Sequence, residues 1–223
     1  MSHFVSPYYL PPIPHHVAAA NRRFDPPVPT ATPQDLFEVK VNQCSNPAPR
    51  YIRKSNPREM LIYIDGSCLN NGTAEARAGY GIKWSPRTCN ILSARLEGTG
   101  PETSNRAELR AAVIAVSLRA WHGEGFHTVV LACNSEYVVL GISERIQNWI
   151  QRGWRTAAGS PVENRDLWER LLDKLDIQNK YGVMIKFWRI PRESNAEADA
   201  LAREGALKSR ATFMHDVLLA NDF

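Results

Sequence analysis

The chain has 223 residues, 43% apolar and 22% charged, enough for one buried core of about 150 residues with extensions and too few for two ordinary domains. No stretch approaches the roughly 20 consecutive apolar residues of a membrane span, so no membrane role is expected. The formal charge of +4 is uneven: residues 1–57 hold six Lys/Arg against three Asp/Glu, leaving the remainder at +1. Bulk charge therefore does not announce nucleic-acid binding, and any such role must rest on local placement.

Eleven of the fifteen prolines precede Arg58, in runs such as Pro11-Pro12-Ile13-Pro14 and Pro26-Pro27-Val28-Pro29. Proline blocks helix and strand ladders alike, so residues 1–57 read as a mostly disordered tail, a linker or a proline-rich ligand for a protein partner. The tail has no apolar leader core, and its prolines oppose an amphipathic transit helix. Cys44, Cys68, Cys89 and Cys133 are dispersed without a Cys-x-x-Cys pair, which fits a reducing compartment without a zinc knuckle or disulfide framework. The expectation is an intracellular protein, nuclear or cytoplasmic ahead of mitochondrial.

From Met60 the texture changes. Met60–Asp65 alternates β-favouring residues and stops at Gly66-Ser67, a strand ending in a turn; Ala78–Trp84 and Ile91–Glu97 continue an antiparallel meander. Ser104 starts a long helix with Leu109, Val113 and Val116 on one face. His127–Cys133 reads as a central strand and Ser135–Ile150 as a helix. After a loop, Asn164 is the expected N-cap of a helix over Arg165–Asn179. Val183–Trp188 is the last strand, and Ser194-Asn195-Ala196-Glu197 has capping-box spacing for a helix running to about Ala206. The order predicts an α/β fold, a mixed sheet flanked by helices over residues 58–206, with 207–223 as a C-terminal tail that docks or frays.

Four polar residues fall where strands end or helices begin, the usual ligand-binding rim of an open α/β sheet: Asp65, Glu108, Asn134 and Asp199. Singly each has a plain reading, as a turn former, a dipole-favoured acid near a helix start or a solvated helix residue. Their contexts carry more: Tyr63-Ile64-Asp65-Gly66-Ser67-Cys68, Thr103-Ser104-Asn105-Arg106-Ala107-Glu108-Leu109, Cys133-Asn134-Ser135-Glu136-Tyr137-Val138 and Asn195-Ala196-Glu197-Ala198-Asp199-Ala200-Leu201-Ala202. A fifth block runs from Gly141-Ile142 through Trp149, Arg152-Gly153-Trp154 and Pro161-Val162-Glu163-Asn164-Arg165-Asp166-Leu167-Trp168.

In this order the blocks resemble those of the type 1 ribonuclease H family, over Met60 to about Ala206. The resemblance implies a five-stranded mixed sheet, three antiparallel strands then two parallel, and an endonuclease that hydrolyses the RNA strand of RNA–DNA hybrids. It implies two Mg²⁺ ions about 4 Å apart, with Mn²⁺ as the substitute ion, that activate water and stabilise the leaving oxygen. Asp65 would bridge both ions, Glu108 and position 134 would serve the leaving-group side, and Asp199 the water side. Thr103, Asn105 and Arg106 would meet the sugar-phosphate backbone, and Asn70 and Asn71 the minor groove, where groove shape and 2′-hydroxyls are read in place of bases. Trp149, Arg152, Trp154 and Arg155 resemble the family's basic protrusion, although both tryptophans read equally well as packing for the helix end. A monomer is expected.

The chain departs from the family pattern twice. Asn134 stands where the family has its third aspartate, cutting the formal charge of the cage from four to three, and losing one such stabiliser typically costs about 10²–10³ in rate. Arg189–Ser194 is short and lacks the family's histidine, leaving Arg189 or Arg192 as the basic stand-in. Three readings stay open: a weakened hybrid-directed nuclease, an inactive hybrid- or duplex-binding protein, and a structural protein that recruits partners through its proline-rich tail.

Overall fold

The computed structural model describes residues 22–44, 47–87 and 91–213. A single mixed sheet of seven strands forms its centre. The long strand β3 (Asn56–Leu69) pairs along one edge with β6 (Thr128–Cys133), which in turn pairs with β7 (Met184–Arg189), all three parallel. Along its other edge β3 meets two antiparallel strands in succession. Its first half takes β2 (Pro49–Arg53), which carries β1 (Phe37–Val41) outside it, and its second half takes β4 (Arg77–Lys83), which carries β5 (Ile91–Arg95).

The expected five strands, three antiparallel and two parallel, are β3–β7, and two more precede them. Asp65 does not end its strand. Pairing with β6 stops at Tyr63↔Ala132, but pairing with β4 runs on to Leu69↔Arg77, so Asp65 lies mid-strand just past the point where one neighbour has left.

The two faces of the sheet are covered differently. One buries Met60, Ile62, Ile64, Tyr80 and Ile82 beneath helices α2 (Ser104–Ser117) and α5 (Arg165–Lys180), in a core completed by Trp121, Trp168 and Phe187. Thr103 caps α2, its hydroxyl accepting from the Arg106 amide, and the alanines and valines of the helix allow close approach. The run expected as one helix over 135–150 is α3 (Glu136–Leu140), a π-turn over Gly141–Arg145, and α4 (Ile146–Gln151).

The other face is shared by α6 (Ala196–Leu207) and by a strap made from residues 22–44 and 47–53. The strap begins at the outer edge of β7, where the Phe24 amide donates to the Phe187 carbonyl and the Phe187 amide to the Arg22 carbonyl. It then crosses the open face, packing Phe24 and Phe37 in tilted contact against Trp188 at centroid distances of 4.9 and 6.3 Å. A single helical turn, α1 (Pro33–Leu36), capped by Thr32, leads into β1 and β2 on the far side.

The disordered tail expected up to residue 57 therefore fails over the described residues 22–44 and 47–57: Pro29 lies in a turn, Pro33 opens α1, Pro49 opens β2 and Pro57 lies at the start of β3, while Phe24 and Phe37 find a hydrophobic face. The Pro11–Pro14 run lies outside the described residues. At the other end, residues 208–213 dock: the Gly98 amide donates to the Ala211 carbonyl, and Arg210 pairs with Glu102 at 3.2 Å.

Two sequence-derived caps are also revised. Asn164 is the N-cap of α5, its carbonyl accepting from the Leu167 and Trp168 amides, but it takes a left-handed conformation (φ 57°) and makes no side-chain cap bond. Its side chain instead accepts from Arg106 and donates to the Tyr137 hydroxyl. The Ser194–Glu197 spacing forms no capping box: a 3₁₀ turn over Arg192–Asn195 leads into α6, and Glu197 pairs with Lys83. Long-range partners outcompete the local bonds in both cases.

Candidate active site

Two glycines bring the site together. A Cβ on Gly66 would lie 2.1 Å from the Glu108 amide nitrogen, so only glycine there lets α2 pass close enough to set Glu108 beside the residue before it, Asp65. Gly81 sits opposite Asp65 in the β3–β4 ladder. A Cβ at Gly81 would lie 2.4 Å from the Ala198 carbonyl, so the same device draws in α6 one residue from Asp199.

The electrostatics record the convergence. Asp65 is 3% exposed, and its carboxyl is pushed up to about 7, first by burial and then by the nearby Asp199 and Glu108 carboxylates, against the Gly66 amide and Arg192. Burial also raises Glu108, whose Oε2 accepts from the Ser135 hydroxyl at 2.5 Å. The Cys133 thiol is pushed up to about 12 by burial, with Glu108 and Asp65 adding to the rise, which sets the end of β6 beside both acids. Asn134 follows directly.

The Asn134 amide is clamped. Asn195, 1% exposed, donates from Nδ2 both to the Ile64 carbonyl at 2.9 Å and to Asn134 Oδ1 at 3.1 Å. A backbone carbonyl can only accept, so Ile64 fixes which way the Asn195 amide faces, and that in turn fixes the Asn134 oxygen towards Asn195. Asp199 is held from two sides, by Arg192 at 3.0 Å and Arg203 at 2.8 Å. Of the two arginines in the shortened loop, only Arg192 pairs with an acid of the site. Arg189 pairs with Glu136 at 2.8 Å.

Three carboxylates and one amide oxygen are hard donors of the kind that suits a divalent cation such as Mg²⁺, and the mutual repulsion that raises Asp65 is what a cation would relieve. The donors are not drawn up as a finished cage: among the described residues, no three of His, Cys, Asp and Glu are grouped to hold an ion as they lie. Asp199 faces its arginines, Glu108 faces Ser135 and Asn134 faces Asn195.

The expected nucleic-acid residues divide into two sets. Asn70 (φ 52°), Asn71, Asn105, Arg152 and Arg155 are exposed. Arg106 is not: it is 6% exposed and its guanidinium grips Asp166 at 2.7 and 2.9 Å, tying the start of α2 to α5. Thr103 is engaged as the α2 cap. Trp149 packs edge-on against Trp168 at 5.5 Å, and Trp154 is half-buried beneath the Arg165 guanidinium at 5.4 Å, so both tryptophans pack against the core.

Sequence reasoning missed Asn195, Ser135 and the two glycines. Ser135 and Gly66 each adjoin a singled-out residue, and Asn195 opens the last block, so adjacency was the available signal.

The chain belongs to the RNase H family: the family's profile matches residues 57–207. It is 36% identical over 154 residues to ribonuclease H1 of Rattus norvegicus, covering 67% of this chain and 51% of the relative. It is 37% identical over 150 residues to a ribonuclease H of Salmonella arizonae, covering 67% and 90%. The chain thus spans about half the length of the mammalian relatives. Among solved structures, the PFV RNase H domain aligns with a TM-score of 0.51 at 22% identity, covering 66% of this chain and 93% of that domain, a likeness of fold. The strap lies outside the matched span.

Proposed function

We propose that this chain is a divalent-metal-dependent ribonuclease H that hydrolyses the RNA strand of RNA–DNA hybrids, with turnover weakened by Asn134. The observation that carries the reading is the gathering of Asp65, Glu108, Asn134 and Asp199 at the point where β3 and β6 part, on a fold whose matched relatives are ribonucleases H. A foamy viral protease-reverse transcriptase, of whose chain one fifth has a similar fold, has been solved with an RNA/DNA hybrid, which supports that duplex as the substrate class.

Asp65, Glu108, Asp199 and the Asn134 oxygen would hold the ions, with Mg²⁺ as the working choice and Mn²⁺ as substitute. Bound there, the metal supplies an activated water and charge relief at the leaving oxygen. The chain's own groups prepare for this. Ser135 orients Glu108, Asn195 orients the Asn134 amide, and Arg192 holds Asp199 from an exposed loop, placing a cation where the family has a histidine. Asn70, Asn71 and Asn105 are exposed and would meet the backbone and groove, and the exposed Arg152 and Arg155, the latter also donating to the Gly159 carbonyl, would meet phosphates.

A second reading, hybrid binding without turnover, draws on one observation: the Asn134 oxygen already accepts from Asn195 and carries no charge to compete for an ion. One assay separates the two. Cleavage of a labelled hybrid in Mg²⁺ or Mn²⁺ is compared for the chain, for Asn134→Asp and for Asp65→Asn. The nuclease reading expects weak cleavage by the chain, a rise of about 10²–10³-fold in Asn134→Asp, and none in Asp65→Asn. Hybrid binding with no cleavage in any of the three supports the second reading and overturns the first.

A further inference from the structure

We propose that β1 is a self-pairing edge through which two copies of this chain join their sheets about a two-fold axis at Val39. β1 ends the strand path on its side, and among the described residues nothing pairs with its outer edge. The expectation of a monomer came from the family resemblance, whereas this edge belongs to the strap, outside the matched residues 57–207.

The hydrogen-bond phase of β1 decides which backbone groups are free. The Lys54 amide donates to the Leu36 carbonyl and the Asn42 amide to the Ala48 carbonyl, so even-numbered residues turn their backbone groups towards β2. In an antiparallel ladder these alternate, so the N–H and C=O groups of Val39 and Val41 and the Phe37 carbonyl face outward, while the Phe37 amide closes the α1 turn on the Pro33 carbonyl. An unpaired row of this kind is a template for another strand.

A second copy, antiparallel with Val39 opposite Val39, matches this row with itself: Val39 exchanges both bonds with Val39 of the second copy, and the Val41 amide of each copy donates to the Phe37 carbonyl of the other. The same register sets Glu38 opposite Lys40 and Lys40 opposite Glu38. The sequence Phe37-Glu38-Val39-Lys40-Val41 is thus self-complementary in charge on one face and apolar on the other. Shifting by one residue would set outward backbone groups against inward ones, so the charge pattern and the hydrogen-bond phase select the same pairing. Within one copy, Glu38 and Lys40 pair with each other at 2.5 Å while both stay substantially exposed, and Val39 and Val41 are 53% and 59% exposed. A two-fold contact uses the same edge of both copies and closes at two.

The full chain is examined by sedimentation equilibrium over a micromolar concentration series. The expected mass rises with concentration from 25.1 kDa towards twice that value. E38K and K40E each place like charges across the axis and are expected to remain at 25.1 kDa. The double variant E38K/K40E, which restores opposite charges, is expected to dimerise again, as is an equimolar mixture of the two single variants. The double variant and the mixture guard against a fault in folding, since a misfolded single variant would not recover by mixing. A wild-type mass of 25.1 kDa throughout, or dimerisation of E38K equal to the wild type, overturns the proposal. Hydrogen exchange at the Val39 and Val41 amides adds a check: protection that grows with concentration supports pairing between copies. Protection unchanged on dilution means that the chain covers its own edge, and overturns it. Failure here leaves the nuclease reading untouched, because β1 contributes no residue to that site.

Discussion

The two faces of the sheet reach burial by different routes. Beneath α2 and α5 the core is built by repetition: alternating strand residues meet helical faces at regular spacing, and a large aliphatic and aromatic cluster there takes in a buried ion pair, Arg110 with Glu97. Under the strap the core is a small cluster around Phe24, Phe37 and Trp188, and the segment that covers it is fastened by buried arginines. Arg22 donates to the Ile185 carbonyl and to Asn179, each at 3.0 Å, and Arg50 makes a two-pronged pair with Glu124 at 2.8 and 2.9 Å. A helix with a regular apolar face carries its own folding signal, whereas a strap depends on a few fixed points, each worth more.

That contrast breaks most visibly at Arg50. Arg50→Ala leaves Glu124 buried with one of its partners gone, and the expected cost is about 3–5 kcal/mol in urea unfolding. A disordered tail predicts no change. The next effect lies at the site itself. Asp65 has a raised folded-state pKa, so the folded chain binds the extra proton between pH 3.8 and about 7. The resulting stability is fully present below the unfolded value and is lost as pH rises through about 7. Asp65→Asn removes the titration, so in chelator at pH 8 it should be more stable than the parent, by at most about 4 kcal/mol. The gap should close as pH falls towards 4, and parallel stability profiles for the two proteins would refute the burial argument. Lost activity with gained stability is the expected signature of a site strained for function.

Much of the site was legible in the sequence because its residues sit in local contexts with a direction: Asp65 in a β-favouring run before Gly66, Glu108 one turn into a capped helix, Asp199 inside a helix whose start is marked. The supporting groups were harder to read. Asn164 caps its helix as the sequence suggests, yet its side chain bonds to Arg106 and Tyr137 and not to the helix, and no local pattern encodes a left-handed asparagine bonded to a side chain 58 residues away. Arg50 and Glu124 are 74 residues apart, and nothing in a proline-rich stretch indicates that an arginine there will be buried. Asn195 was quoted within a motif, but its role as the clamp on Asn134 exists only once β3 and β6 lie side by side.

The central claim, that Asp65, Glu108, Asn134 and Asp199 act as one ion-holding site, is tested most directly by calorimetric titration of Mn²⁺ into the chain, Asp65→Asn and Asn134→Asp. The account predicts that Asp65→Asn weakens binding by about ten-fold or more and that Asn134→Asp strengthens it by a comparable factor. Equal Mn²⁺ affinity in all three proteins would contradict it.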